Sequence, residues 1–225
     1  MKAAIIIPAF NEAEAESIRR VVASVCDLGV PVVVDDGSTD DTAARAEAAG
    51  ATVVRHTANR GYDAALASGF VKAERIGAEI AVTFDADGQL DAQSVVRTID
   101  AFKKGGVDLI LGVRAEAPRF SESLFNLYAR MRFAVPDMLC GLKGFRMGCY
   151  AAHRAATKTA SVNTALALAL LRGNAVHGTV PVAVRPRQGH SRFGSWRGNV
   201  KILRALAAAL KDDLRHWTTS AKKHA

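Results

Sequence analysis

Five times before residue 115 the chain passes through a short, apolar, largely β-branched run and then stops on polar side chains. The runs are Ala3–Ile7, ending at Pro8, then Pro31–Val34, Ala51–Arg55, Ala78–Phe84 and Val107–Gly112. Such runs, bounded by turn-forming residues, predict buried strands. Between them lie segments with helical spacing. Asn11 can cap a helix carrying Ile18, Val21, Val22 and Val25, and Thr39 or Asp40 can start a second over Thr42–Ala49. Asp63–Ile76 and Gln93–Lys103 complete the series. Strands alternating with helices at this interval imply βαβ units, a mainly parallel sheet and right-handed crossovers.

That architecture directs attention to one edge. In open parallel sheets ligands bind beyond the carboxyl ends of the strands. Here those ends carry Pro8-Ala9-Phe10-Asn11-Glu12, Asp35-Asp36-Gly37-Ser38, Asn59-Arg60-Gly61, Asp85-Ala86-Asp87-Gly88-Gln89 and Arg114. Beyond Arg114 the regularity weakens. Pro118–Arg132 resembles an amphipathic helix or loop, Val135–Arg146 is rich in turns and glycine, and Thr159–Leu171 is expected to be helical. Val176–Val184 is expected to be a strand, followed by a polar, glycine-containing loop over Gln188–Gly198. Leu203, Leu206, Leu210, Leu214 and Trp217 form a stripe on a final helix.

Charge is unevenly placed. Of 30 Lys/Arg and 22 Asp/Glu, ten and two fall in the last 41 residues, so the net charge of +8 is concentrated there. A basic segment of this kind suits nucleic acid, anionic lipid, a phosphorylated substrate or plain solvent. Nucleic acid is disfavoured because aromatic residues for stacking are not clustered and residues 1–184 are charge-neutral. No leader-like segment opens the chain, and the longest nearly uncharged apolar stretch, Val162–Leu171, is far below the ~20 residues of a membrane-spanning helix. Three cysteines without metal-ligand spacing are expected to be free thiols in a cytoplasmic protein.

The segment "VTFDADGQ", residues 82–89, is the sharpest chemical signal. Its aspartates could simply cap the following helix in an Asx-type turn. A calcium loop of the EF-hand type fails, because the twelfth position counted from Asp85 is Val96 rather than glutamate. A dinucleotide fingerprint and a P-loop are both missing. A D-x-D cation site remains. Mg²⁺ or Mn²⁺ prefers oxygen ligands, is often held by only one or two carboxylates, and completes its shell with water and phosphate. Asp85 and Asp87 share a side in extended backbone, and Gln89 can add a carbonyl oxygen.

"IIIPAFNEAE", "VVVDDGSTDDT", "NRGYDAALASGF", "VTFDADGQ", "LILGVR", "GLKGFRM" and "GHSRFG" occur in an order that resembles family-2 glycosyltransferases of the GT-A fold, most nearly the polyprenyl-phosphate (dolichol-phosphate) mannosyl- and glucosyltransferases. The resemblance implies an α/β fold with a Rossmann-like sheet flanked by helices, in a single domain with a C-terminal helix. A glycosyltransferase domain would span 1–200, with a nucleotide-sugar half at 1–114 and an acceptor half at 115–200. A basic amphipathic helix and tail would follow at 201–225. It further implies an inverting transfer from a UDP- or GDP-sugar with Mg²⁺ or Mn²⁺ as cofactor.

Position by position, the resemblance places Pro8, Phe10, Asn11 and Glu12 at the nucleotide base, and Asp36 at the ribose and base with Asp35 beside it. Asn59, Arg60 and Gly61 pack by the nucleotide. Asp85, Ala86 and Asp87 form the metal and diphosphate motif, with Gln89 as a metal-side ligand. Arg114 and Arg130 match phosphate-facing arginines, and Gly141–Arg146, including Arg146, matches the stretch near sugar and acceptor. Arg187, Ser191 and Arg192 belong to a basic loop around Gly189 that closes on the diphosphate. Asp87, Asp137, Arg114 and Arg192 are the candidate catalytic residues.

Two departures stand out. Arg192 replaces a usual lysine, and Ser161-Val162-Asn163-Thr164-Ala165 lacks the acid usual before the "VP" strand. A hydroxyl acceptor needs a general base, for which Asp137 is the remaining candidate unless it caps a turn, whereas a phosphate acceptor is already anionic. Expected partners are therefore the nucleotide sugar, a lipid phosphate such as polyprenyl phosphate, an anionic membrane at the cytoplasmic face through the final helix, and a second copy of the chain. A small-molecule hydroxyl acceptor, a nucleotide-sugar-binding pseudoenzyme and a nucleic-acid-binding module are the alternatives. A nucleotidylyltransferase is disfavoured, since no G-x-G-T-R-type loop follows the first strand.

Overall fold

The computed structural model describes residues 1–13, 17–115, 120–158, 161–184 and 195–221. The chain groups into two compact units. The first, Met1–Ala115 with Cys140–Gly189, holds a seven-stranded sheet in the order β3-β2-β1-β4-β6-β5-β7. Its strands are β1 (Ala3–Ala9), β2 (Val30–Asp35), β3 (Thr52–Arg55), β4 (Ile80–Thr83), β5 (Leu109–Arg114), β6 (Lys143–Arg146) and β7 (His177–Val182). All run parallel except β6, which lies antiparallel between β4 and β5. The α/β, mainly parallel architecture expected from the sequence is present.

β1 passes through Pro8 rather than stopping there. Its ladder with β4 pairs only Ala3 to Ile6, while the ladder with β2 continues to Ala9. Ile6 O accepts from Phe84 N, so alternate residues turn toward β4. The missing N–H of Pro8 therefore faces a side where pairing has already ended, a position where proline is tolerated. Because the chain returns from β3 to β4 on the other side of β1, the order reverses there. The crevice beyond Ala9 and Phe84 is the topological switch point of the sheet.

Alternation along β1 divides the core. Ile5 and Ile7 join Val21, Val22, Val95 and Ile99 in one apolar cluster, supplied by α1 (Ser17–Val25) and α4 (Ala92–Lys104). On the opposite face α3 (Tyr62–Arg75) brings Phe70 against Phe145 at 5.4 Å and Tyr150 at 5.0 Å between ring centroids. α2 (Thr42–Ala48), α6 (Met147–Ala152) and α7 (Val162–Arg172) complete this unit's helices among the described residues.

β6 emerges from the stretch expected to be turns, and α6 follows directly, where no element was expected. Gly144 explains the disguise, because a Cβ there would lie 2.6 Å from Phe102 and Thr98. α4 approaches the strand too closely for a side chain. The second unit, Glu116–Leu139 with His190–Ala225, contains α5 (Phe120–Phe133) and α8 (Ser195–Ala221). Ser121 Oγ donates to Asn199 Oδ1 at 2.6 Å, and the Tyr128 hydroxyl donates to Asp213 Oδ2 at 2.8 Å.

Candidate active site at the switch point of the sheet

The polar strand exits converge, but they do different work. The loop after β1 is laced to the loop after β2. Asn11, at φ 52, accepts at Oδ1 from Thr39 N (2.9 Å), while its own N–H donates to Ser38 Oγ (3.0 Å). Glu12 N donates to Thr42 Oγ1 at 2.8 Å. Asn11 was expected to cap the following helix; its side chain is instead engaged with the loop after β2. Phe10 and Glu12 are half-buried at this corner.

Asp36 is the hub of the second exit. At 3% exposure, its Oδ1 accepts from Arg60 N at 3.0 Å and its Oδ2 from Gly61 N at 2.7 Å. His56 Nδ1 lies 2.6 Å from Oδ1, and His56 Nε2 is 2.9 Å from Ser68 Oγ. Both oxygens are thus taken by the protein. Asp36 holds the Asn59-Arg60-Gly61 turn in place, leaving the Asn59 and Arg60 side chains exposed. Asp35, also buried, accepts from Ser38 N at 3.1 Å. Three partners leave one acceptor site of the carboxylate on Oδ2, and the three bonds that are made serve the turn.

The exit of β4 is different. Asp85 follows Thr83 and Ala81 on the α3 side, and its Oδ1 accepts from the Tyr62 hydroxyl at 3.0 Å. Burial, and then the like charge of Asp87, push its pKa from 3.8 to about 6, against the opposing pull of Tyr62, Lys143 and Arg114. The Tyr62 hydroxyl is correspondingly pushed well up, by desolvation of its hydroxyl end first and then by Asp85, while the residue as a whole is 41% exposed. Asp87 Oδ1 accepts from Gln89 N at 3.1 Å, which makes the backbone of Gln89 part of the turn. Ala86 is buried in the apolar cluster, so only its backbone can face a ligand.

Gly141 closes this corner from β6. A Cβ there would stand 2.3 Å from Asp85 Oδ2, so glycine keeps the carboxylate's second oxygen uncrowded. Thr83 Oγ1 donates to Gly141 O at 2.7 Å. Asn163, at the start of α7, donates to Gly141 O at 2.9 Å and to Thr83 Oγ1 at 3.2 Å. Its own Oδ1 is buried without a hydrogen-bond partner among the described residues, an arrangement that is costly unless something later fills it. Lys143, only 1% exposed, donates from Nζ to Cys140 O at 2.6 Å and lies near enough to bias Asp85. Val162 N donates to Asp63 Oδ1 at 2.9 Å, which ties the starts of α7 and α3 together.

A hard divalent cation fits this corner. The donors are carboxylate oxygens, the Gly141 cradle leaves Asp85 Oδ2 approachable, and the mutual repulsion of Asp85 and Asp87 would be relieved by positive charge. No cluster of three or more His, Cys, Asp or Glu suited to a metal occurs among the described residues. Two carboxylates with water and phosphate are the pattern of a Mg²⁺-type site rather than an all-protein cage.

Sequence reasoning placed Arg146 beside the sugar, and the structure corrects this. Arg146 pairs with Ile80, the first residue of β4, so it stands at the amino ends of the parallel strands. Its Nε and Nη2 donate to Val107 O at 3.1 and 2.9 Å. The antiparallel run of β6 is the cause: from Gly141 the chain travels roughly 15 Å away from the site. Arg114 ends β5 on the correct edge. In the second unit, Asp137 is 4% exposed, and its Oδ1 accepts from Leu139 N (3.2 Å) and Asn126 Nδ2 (3.4 Å), the pattern of a turn-capping aspartate. Arg130 is exposed on α5. Arg187, Ser191 and Arg192 lie outside the described residues. Tyr62, His56, Lys143 and Asn163 were not singled out from sequence. Tyr62, inside "NRGYDAALASGF", and Lys143, inside "GLKGFRM", stood in segments already flagged, and Asn163 in the stretch noted for lacking an acid.

A parallel sheet with one reversed strand, and an acidic corner at its switch point, defines the GT-A class of α/β proteins. Residues 4–159 match Glycosyl transferase family 2, and the chain belongs to that family. Similar proteins include the UDP-N-acetylglucosamine–dolichyl-phosphate N-acetylglucosaminyltransferase of Methanococcus voltae, 29% identical over 134 residues, which are 51% of this chain and 53% of that protein. The polyprenol monophosphomannose synthase of Mycolicibacterium smegmatis is 34% identical over 119 residues, 49% of this chain and 44% of that protein. The chain spans about half the length of these curated relatives. Glucosyl-3-phosphoglycerate synthase from Mycobacterium tuberculosis, solved with Mn²⁺, uridine diphosphate and glucosyl-3-phosphoglycerate, shares the fold at a TM-score of 0.71 and 20% identity, over 93% of this chain and 78% of that one. It has also been solved with Mg²⁺ and uridine diphosphate.

Proposed function

We propose that the chain is an inverting glycosyltransferase that moves a sugar from a UDP- or GDP-sugar to a lipid phosphate of the polyprenyl type, with Mg²⁺ or Mn²⁺ held by Asp85 and Asp87. The observation that carries this reading is the under-satisfied acidic pair at the switch point, with Asp85 poised near pH 6 and its Oδ2 cradled by Gly141. Family membership and the names of the relatives support the reaction class and the lipid phosphate.

Breaking the anomeric bond develops negative charge on the leaving nucleoside diphosphate. A divalent cation at this corner supplies Lewis-acid neutralisation of that charge. The remaining work belongs to the protein. The Tyr62 hydroxyl fixes the orientation of Asp85, and Arg114 adds a preorganised positive charge on the same edge. Groups fixed in this way can be worth ~3–4 kcal/mol apiece. The engagement of Asp137 in its own turn suits an acceptor that is already anionic and needs no base.

The test is thermal unfolding with a panel of UDP- and GDP-sugars, with and without Mn²⁺. One nucleotide class should stabilise the protein only when Mn²⁺ is present, and Asp87→Asn should remove the shift. A shift that survives Asp87→Asn sinks the metal assignment, and release of free sugar or product from the stabilising donor separates an enzyme from a pseudoenzyme.

A further inference from the structure

Exposed apolar side chains are distributed unevenly over the molecule. In the sheet-bearing unit they are scattered singly, as Met1, Tyr62, Val71, Val176 and Val184. Single exposures of this kind are ordinary. On α5 they are organised. Phe120 (83% exposed), Leu124, Leu127 (53%) and Met131 (81%) recur at i, i+4, i+7 and i+11, so they form one continuous stripe along the helix. The other side of α5 is the buried one, with Ser121, Phe125, Asn126, Ala129 and Phe133. On α8, exposed Leu203, Ala207 and Leu210 repeat the same spacing.

Among the described residues of this unit, every exposed charged side chain is basic: Arg130, Arg132, Arg204 and Lys211. The acids are withdrawn. Glu122 and Asp137 are buried, Asp212 is half-buried, and Asp213 is held by the Tyr128 hydroxyl at 2.8 Å and by Arg132 at 3.6 Å. Apolar stripes set among cations, with no exposed acid, are complementary to a surface that is apolar just beneath a layer of negative charge.

We propose that the α5–α8 face docks on an anionic lipid bilayer, its apolar stripes entering the headgroup boundary while its basic residues meet lipid phosphates. No helix among the described residues is long and apolar enough to cross a membrane, and the proposal concerns contact through this face. A second copy is a poorer occupant, because two such faces would oppose like charges. Nucleic acid is poorer still, because the aliphatic stripes have no use against a phosphate backbone and Phe120 is the only aromatic residue in them. The proposal goes beyond the sugar transfer and does not depend on it, since docking requires neither donor nor metal.

The test is co-sedimentation of the 225-residue chain with vesicles of phosphatidylcholine alone, or of phosphatidylcholine mixed with phosphatidylglycerol. The mixed vesicles should bind at least tenfold more strongly. The double variant Phe120→Ser/Met131→Ser should lose roughly tenfold or more on the mixed vesicles, and Arg204→Gln/Lys211→Gln should erase much of the preference for phosphatidylglycerol. All four positions are exposed, so unfolding temperature and circular dichroism should stay at wild-type values and keep a loss of binding interpretable. Three results overturn the proposal. They are a folded wild type that stays in the supernatant with both vesicles, a serine variant that binds as well as wild type, and a dimer in sedimentation velocity that the serine variant dissolves.

Discussion

Two acidic motifs flank β1, and on paper they look alike. Asp35-Asp36 closes β2, Asp85-Ala86-Asp87 follows β4, and a glycine comes directly after each. The structure treats them oppositely. Asp36 has both oxygens engaged by Arg60 N, Gly61 N and the His56 ring, so its negative charge is met largely from within. Asp85 has the Tyr62 hydroxyl on one oxygen, a like charge as neighbour and a pKa raised to about 6. Satisfied carboxylates build structure, while frustrated ones are poised for a ligand. This contrast separates scaffold from site more sharply than burial, because Asp36 and Asp85 both sit in the crevice.

The largest expected effect lies on the scaffold side. Asp36→Ala leaves two buried backbone N–H groups and the His56 ring without their acceptor, at a cost of about 3–5 kcal/mol. The Asn59-Arg60-Gly61 turn should loosen with it. Chemical denaturation reads the loss, and hydrogen exchange at Arg60 and Gly61 localises it. A loss below about 1 kcal/mol would mean that the turn is held by something other than Asp36.

Asp85 should respond with the opposite sign. Its pKa of about 6 in the folded chain stands above the ordinary 3.8. Below about pH 3 the group is protonated in both states and contributes nothing to stability. As the pH rises through 4 to 6, the unfolded chain gives up its proton more readily, so ionisation counts against the fold. At pH 7 this amounts to about 3 kcal/mol. Asp85→Asn keeps an acceptor for Tyr62 and removes the charge. Chelator-treated protein carrying it should therefore be more stable than wild type by up to about 3 kcal/mol at pH 7, and by nothing measurable below about pH 3. The same variant should lose any stabilisation by Mn²⁺. A destabilised Asp85→Asn at neutral pH would place Asp85 with Asp36 as a structural group and erase the contrast.

How much of this could be read in advance depends on whether the signal was local. Parallel strands declare themselves by apolar runs and polar exits, and β1 to β5 and β7 were all legible to within a few residues. β6 was not, because Gly144 and its neighbours read as turn, and the reason for glycine there is the approach of Phe102 and Thr98 from α4. That single omission misplaced Arg146, which an antiparallel strand carries to the other edge. The D-x-D carboxylates were legible because both acids lie within three residues. Their supports were not. Tyr62, Lys143 and Asn163 reach Asp85 and Gly141 from three separate elements, and the sequence distance between Asn163 and Thr83 is 80 residues. Likewise, the hydrogen bonds at Asp36 depend on His56 and on the 60–61 backbone, which only folding brings to it.

The smallest expected effect tests which side of the contrast Asp137 belongs to. It was a candidate base because the start of α7 carries Asn163 in a stretch without a carboxylate. In the structure it behaves as Asp36 does: buried, with Oδ1 accepting from Leu139 N and Asn126 Nδ2. Asparagine retains an oxygen at that position and can keep both bonds with a modest reorientation. Asp137→Asn should therefore cost under about 1 kcal/mol and leave sugar transfer to a phosphate acceptor within a few-fold of wild type. A general base contributes ~10²–10⁴ in rate, so the two roles are far apart in a turnover assay. If Asp137→Asn abolishes transfer while donor binding and stability persist, the acceptor is a hydroxyl, and a carboxylate that satisfies a turn at rest must release it to take a proton.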